Sequence, residues 1–454
     1  MSRVPARAVV IGQFPWDPFP PGEPEPKGPD PVQNLAFRSA VTAADAYRSV
    51  RLALRRDRGA LRVGNRFVSD GRYREFALLA FGNAANSMAL AALHTLGDRL
   101  TQGFLAGPEP VPAEIPFHGT VVPPGWGGAP AAAEIVGAAE EIAAGLGEQD
   151  LLVVLLSPGA LRALLLPPPG VSPEEFAGTL ASASAAGATG REVGLLARVL
   201  GTGAVGGRLA AATRSDVATF LVERGDGPTG VGGGPMRPVG PAERVEARAI
   251  LERTGTSAAF PSSALASLGP DATRPATAPR AVAPPVVVAG PTDALRAAAD
   301  AVFEKGWTSR LAFLTLSEPP EAGADRLLAR TEELLAAEPL TADSRTKGLV
   351  AFAMTTLGLP EGVDEGPALG RFLERANEGL RRREMSVGLF RTAGDLGSPA
   401  FPAGAVVGAP TERSATRTGH ARAVRMRRGI TDVGALAIAL VPPPSGGSGR
   451  GPTR

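Results

Sequence analysis

Apolar positions recur at two different periods along the chain, and the two periods alternate. Helical spacing runs from residue 34 to 58, whereas residues 76–81 and 151–156 are unbroken apolar runs typical of buried strands. Each run ends at small residues that begin a turn before a helix, and a further strand is predicted near Phe220. This alternation predicts an α/β fold whose first half is a doubly wound, Rossmann-like parallel sheet.

The second half of the chain repeats the pattern. We predict a strand at 286–289, a helix at 292–305, a strand at 311–316, and later strands near Leu389 and Leu436. These elements predict a second α/β domain, with a cleft between it and the first.

Proline, glycine and low-charge stretches mark the boundaries. The first residues are rich in proline and acidic side chains, and a stretch past the middle is rich in Ala, Ser, Thr and Pro. The last residues, PPPSGGSGRGPTR, predict disorder. We therefore predict an extended arm at 1–34, a first α/β domain at 35–253, a linker at 254–285, a second α/β domain at 286–441 and a disordered tail at 442–454.

Composition narrows the classes of partner and metal site to expect. The 47 basic and 45 acidic residues nearly balance, so bulk charge gives no reason to expect nucleic acid as a partner. No apolar run is long enough to span a membrane, and we expect a cytoplasmic protein that does not bind membranes. With no cysteine and three histidines, a side-chain metal site would need carboxylates, and the sequence names no metal ligand.

Six segments, in order, resemble the glycerate 2-kinase family, known for its C-terminal MOFRL domain and also labelled hydroxypyruvate reductase. The resemblance covers roughly residues 36 to 441. It implies a MOFRL-like second domain and, in an active member, transfer of phosphate from ATP to the 2-hydroxyl of glycerate with Mg²⁺. The segments are 81–89, 150–165, 204–210, 220–235, 393–407 and 428–440.

The catalytic positions that the resemblance implies have changed. Asn83 stands where the family has a lysine that acts at the phosphoryl group, and Val205 replaces another lysine. Arg371 is the remnant of an active-site arginine, and Asp395 lies one residue from an acidic position of the family. An ammonium beside a helix N-terminus neutralises a transferred phosphate, whereas an asparagine brings no charge.

The phosphate-binding loops are also altered. Pro158 has no backbone N–H, and larger residues follow it where the family has glycines that let the backbone close around a phosphate. The cofactor-binding positions that the resemblance implies are Gly82, Ser157, Gly159, Gly206, Gly207, Arg224 and Gly234.

Strands persist in these segments while lysines, carboxylates and glycine loops change together. Because phosphoryl transfer depends on positioned cations, we predict a catalytically degenerate member that serves as a binding or assembly subunit. Its partner would be a homologous or unknown protein, or glycerate or another small anion. The alternative is an active glycerate 2-kinase in which arginines replace the lost lysines, with ATP and Mg²⁺ as cofactors. A third hypothesis is a sensor that binds a small anion without turning it over.

Other features have a structural and a functional interpretation. Gly201-x-Gly203-x-x-Gly206 spells a dinucleotide fingerprint, but no clear strand precedes it, so we predict a turn before a helix at Arg208. We interpret His118 as structural, Trp126 equally as a ligand-stacking or an interface residue, and the arginine-rich stretch 413–428 as a solvated surface rather than a site for an acidic partner, phosphate or RNA.

Overall fold

In its described part, the computed structural model contains two large sheets and two small ones, with helices covering both large sheets. It describes residues 31–122, 129–224, 234–269, 280–281, 284–340, 346–356, 366–380, 385–392, 404–408 and 435–442.

Two short helices and an antiparallel meander open the described chain: α1 Pro31–Ala43, α2 Ala46–Ala53, β1 Leu54–Asp57, β2 Ala60–Val63 and β3 Arg66–Ser69. The predicted helix over 34–58 is therefore wrong beyond Ala53. The chain leaves the helix because Arg58 and Gly59, at φ +47° and +81°, form a two-residue hairpin turn, and alternate residues of β2 are buried.

The first large sheet is parallel throughout. Its strands run in the order β6-β5-β4-β7-β10, and β11 and β12 both pair with β10. The elements are β4 Phe76–Phe81, α3 Ala85–Leu96, β5 Leu100–Gly107, β6 His118–Val121, α4 Ala129–Gly145, β7 Leu151–Leu156, α5 Ala160–Leu164, β8 Leu165–Leu166, α6 Pro173–Ala185, α7 Gly190–Leu200, β9 Thr202–Gly203, α8 Arg208–Ala212, β10 Asp216–Val222, α9 Pro241–Thr254, α10 Ser262–Leu265, β11 Arg280–Ala281 and β12 Val286–Ala289. The short strands β8 and β9 pair with each other.

Burial explains why these strands form. Every residue of β4, β7 and β10 is buried, as continuous apolar runs predict for a parallel sheet with helices on both faces. Alternate residues of each strand enter two separate apolar cores, one on each side of the sheet. The predicted doubly wound, Rossmann-like sheet is confirmed.

The second large sheet is mixed. Its order is β13-β14-β17-β15-β16, and the β13–β14 pair is the parallel one among pairs that are otherwise antiparallel. The elements are α11 Pro291–Glu304, β13 Thr308–Leu316, α12 Pro320–Ala337, β14 Leu349–Thr355, α13 Gly366–Leu380, β15 Ser386–Arg391, β16 Gly404–Gly408 and β17 Ala435–Val441.

Two segments lie elsewhere than the sequence predicts. The strand expected to open the second domain, β12, pairs in parallel with β10 of the first sheet. Within the predicted linker, residues 257–268 form short helical turns whose Phe260 and Ala264 are buried in the first domain's core. An Ala- and Ser-rich composition did not distinguish short packed helices from a linker.

Helix α1 packs against α11 and reaches the second sheet, although it precedes the first sheet in the chain. The side-chain amide of Gln33 donates to the Ile438 carbonyl at 3.2 Å, and the Phe37 and Phe390 rings stack at 5.0 Å. Residues 31–34 of the predicted arm therefore belong to a packed helix, and its residues 1–30 lie outside the described part of the chain.

Candidate functional site

The strand order of the first sheet reverses at β4. From β4 the chain first adds β5 and β6 on one side, then returns to add β7 and β10 on the other. Ligands of doubly wound sheets bind outside the carboxyl ends of the strands at such a reversal. The crevice between the carboxyl ends of β4 and β7 is thus the candidate site.

The residues after these two strands lie side by side. Phe81 pairs with Leu156 in the parallel register, so Gly82 and Ser157 follow at the same level. Gly82 has φ +106°, and a Cβ built there would lie 2.2 Å from the Ser157 carbonyl oxygen. The two loops therefore touch at a point that only glycine can occupy.

Hydrogen bonds lock the loops together. The buried Ser157 hydroxyl accepts from the Ala84 N–H at 2.9 Å and donates to the Phe81 carbonyl at 3.2 Å. The Asn83 N–H donates to the Pro158 carbonyl at 2.7 Å. The N–H groups of Asn83 and Ala84, just before α3, therefore already have protein partners.

The residues where the two loops meet are uncharged. The side chain of Asn83 lies against Gly159, where an added Cβ would be 3.0 Å from the Asn83 Oδ1, and it carries no charge. A phosphoryl group needs free N–H donors or a cation. The N–H groups of Asn83 and Ala84 are bonded to protein oxygens and the Asn83 side chain is neutral, so these three groups provide neither.

A second group of predicted positions meets before α8. The Gly207 N–H donates to the Gly234 carbonyl at 3.3 Å, and a Cβ on Gly207 would lie 2.6 Å from the Pro238 nitrogen. Gly206 and Gly207 both have positive φ and form the turn that begins α8 at Arg208, as predicted. Val205, where the family has a lysine, is fully buried.

An ion cluster fixes the segment that covers this turn. Glu243 on α9 pairs with Arg198, which is 2% exposed, and with Arg237, and it accepts from the Gly240 N–H at 2.9 Å. Burial opposes ionisation of Glu243, but the Gly240 hydrogen bond and the two arginines outweigh it and lower its pKa. Burial lowers the pKa of Arg198, and Glu243 opposes that effect. Glu243 thus ties the 234–240 segment to α7.

The remaining predicted residues are dispersed. Arg224, buried, follows β10 at the carboxyl edge of the first sheet, near the candidate crevice. Arg371 lies on α13, half exposed, and pairs with Glu321 on α12 at 2.8 Å; no contact found among the described residues joins it to the crevice. His118, exposed, begins β6. Asp395, Trp126 and the stretch 413–428 lie outside the described residues.

Sequence reasoning missed Ala84 and Gly107. Ala84 supplies the N–H that Ser157 binds, a backbone role to which its side chain gives no clue. Gly107 ends β5, and a Cβ there would lie 3.0 Å from the Gly82 carbonyl oxygen. A glycine directly after the apolar run Phe104-Leu105-Ala106 was the signal available in the sequence.

The described residues offer neither a cluster of metal-ligating side chains nor a membrane-spanning helix. In the part of the chain that the structure describes, no group of three or more His, Asp or Glu side chains could hold a metal ion. Likewise, none of the described helices is both long and apolar enough to cross a membrane.

The model of a family described as a domain of unknown function (DUF4147) matches residues 33–269, a little over half of the chain. The chain belongs to this family. The matched residues of this DUF4147 protein include the whole crevice between β4 and β7. No curated protein matches the sequence.

Two solved structures share the fold of this DUF4147 protein. Glycerate kinase from Thermotoga maritima has a TM-score of 0.63 at 19% identity, covering 90% of this chain and 98% of its own. The PH0495 protein from Pyrococcus horikoshii OT3 has a TM-score of 0.62 at 19% identity, covering 91% and 98%. The predicted resemblance to the glycerate 2-kinase family is confirmed at the level of the fold.

Proposed function

We propose that this DUF4147 protein is a catalytically degenerate member of the glycerate 2-kinase family that acts as a binding or assembly subunit. The observation that carries the proposal is the bonding of the loops at the chain reversal. The Asn83 and Ala84 N–H groups donate to Pro158 and Ser157, and the side chain at 83 is neutral.

The energetic argument concerns charge at the transition state. Removing one donor that stabilises developing charge costs on the order of 10²–10³ in kcat. Asn83 and the buried Val205 stand where the resemblance implies two lysines, so the losses would multiply if the two act independently. The combined loss would leave little phosphoryl transfer.

One observation favours the alternative, an active ATP-dependent glycerate 2-kinase. Arg224 is 7% exposed at the carboxyl end of β10, and guanidinium groups bind phosphates well. In this version Arg224 would hold a phosphate of ATP, and Mg²⁺ would neutralise charge on the transferred group. The glycerate kinase with the same fold makes glycerate the first substrate to test.

The deciding experiment is ATP consumption by the purified protein with D-glycerate and Mg²⁺. The proposal expects turnover at the level of an enzyme-free control, and Arg224→Ala should not change it. Asn83→Lys tests whether one cation restores a trace of activity. Turnover at ordinary kinase rates, lost in Arg224→Ala but kept in Arg296→Ala, would establish the active kinase instead.

A further inference from the structure

The small meander β1–β3 carries an unusual outward face. Cross-strand partners share a face, and the register places Arg55 opposite Arg62 and Arg62 opposite Phe67. Phe67 is 71% exposed, and the Arg62 guanidinium lies 6.0 Å from the centre of its ring. We call Arg55, Arg58, Arg62 and Phe67 the basic face.

The charge of this region is concentrated. Arg55, Arg58 and Arg62 stand beside one acidic residue on the outward side of the meander, Asp57, whereas the whole chain has 47 basic and 45 acidic residues. A positive patch on an otherwise balanced surface attracts acidic groups locally. The basic face therefore suits a negatively charged ligand.

Three features of the basic face are unfavourable for folding. Arg55 and Arg62 are directly opposite on neighbouring strands, and like charges in such pairs repel. Arg58 has φ +47°, a left-handed conformation that glycine or asparagine adopts more easily than arginine. The large phenylalanine ring beside these charges also leaves apolar surface exposed to water. Costs of this kind are expected at functional surfaces.

We propose that the basic face binds an acidic, extended segment of a partner protein. Arg55, Arg62 and Phe67 lie in one row across the three strands. A segment that crosses the strands along this row would place acidic side chains against Arg55 and Arg62, and an apolar one against Phe67. Single-stranded nucleic acid fits less well, because its bases stack on several successive aromatic rings and β1–β3 offers one exposed ring.

The basic face is separate from the candidate crevice. Just after β3, the Asp70 N–H donates to the Gly59 carbonyl. The Arg74 N–H donates to the carbonyl of Gln149, which lies just before β7. The meander is thus attached at the amino edge of the first sheet, whereas the crevice is at the carboxyl edge. Binding here deepens the proposed role as a binding subunit, yet it does not depend on whether phosphoryl transfer occurs.

Fluorescence anisotropy with the full chain tests the proposal. The probe is a labelled 12-residue peptide of alternating glutamate and valine; its twin of alternating lysine and valine and single-stranded dT20 are the comparisons. Arg55→Glu should raise the Kd of the glutamate peptide at least about tenfold. Because this change replaces a like-charge pair by an attractive one, the melting temperature should not fall, which separates lost binding from unfolding.

Helix α11 offers matched controls. Phe303 is 69% exposed, close to Phe67, and Arg296 is an exposed arginine on the same helix. Phe67→Ser should weaken binding severalfold, whereas Phe303→Ser and Arg296→Glu should leave the Kd within about twofold. The proposal is overturned if the glutamate peptide does not bind, if Arg296→Glu weakens it as much as Arg55→Glu, or if dT20 binds more tightly and depends on Arg55.

Discussion

The hydroxyl of Ser157 accepts a hydrogen bond from the N–H of Ala84 at 2.9 Å, so a residue that follows β7 caps the helix that follows β4. Ala84 has no side chain that could cap α3 itself. The first N–H groups of a helix have no partner within the helix and need an acceptor. In this protein the acceptor is internal, at the place where related folds bind ligands.

Ser157→Ala removes this acceptor from a fully buried position. A buried donor left without a partner costs about 1–3 kcal/mol, so the free energy of unfolding should fall by that amount. Urea denaturation measures it. Ser182→Ala, on an exposed stretch of α6, is the control and should change stability by less than about 0.5 kcal/mol. Equal effects of the two changes would contradict a capping role for Ser157.

Gly82→Ala should be far more damaging than an ordinary glycine substitution. The new Cβ would lie 2.2 Å from the Ser157 carbonyl oxygen, in addition to the strain of φ +106°. At Gly255, φ is +66° and no atom lies within 4 Å of an added Cβ. Gly255→Ala therefore measures the backbone strain alone, which is about 1–2 kcal/mol. Thermal unfolding of the two alanine variants should show the larger loss at Gly82, by several degrees.

Glu243→Gln should destabilise the protein by about 3–5 kcal/mol, because it leaves the buried Arg198 without its counter-charge. The pKa of Glu243 is lowered, so its contribution is complete above its ordinary value of 4.5 and is lost as the pH falls through the lower, folded value. Unfolding free energies of the parent and Glu243→Gln should therefore converge below about pH 4.5. A constant difference down to pH 3 would refute this assignment.

His94 should make stability sensitive to pH in another window. Its Nδ1 lies 2.7 Å from the Tyr47 hydroxyl, and burial, followed by the charge of Arg51, lowers its pKa from 6.5. The unfolded chain therefore takes up a proton first, and stability should fall as the pH drops below about 6.5. The melting temperature of His94→Gln should depend less on pH from 5 to 8. Parallel profiles of the two proteins would contradict the effect.

Strands and glycine turns were predictable from the sequence. Unbroken apolar runs located β4 and β7 within a residue, because a strand buried on both faces leaves that pattern. The helix predicted over 34–58 failed because β1 and β2 are too short for a two-residue period to stand out from the helical spacing before them. The sequence did not predict the turn at Arg58 and Gly59, since arginine rarely adopts positive φ.

The sequence led to residues that are neighbours in the structure, but not to the hydrogen bonds between them. The resemblance led to Gly82, Asn83, Ser157 and Gly159, which the structure brings together. That Ser157 caps α3 depends on the order of strands in the sheet, which no local pattern records. Glu243 was missed for the same reason, because its partners Arg198 and Arg237 come from other segments of the chain.

Helix α1 ties the beginning of the described chain to its last strand, with 405 positions between Gln33 and Ile438. On the ribosome, at about 5–20 residues per second, roughly 20–80 s pass before the strand that α1 packs against has been made. During that interval Phe37 and its apolar neighbours on α1 lack part of the surface that covers them in the finished fold. Nascent chains of this protein should therefore expose apolar side chains of α1 until the last strand has been made.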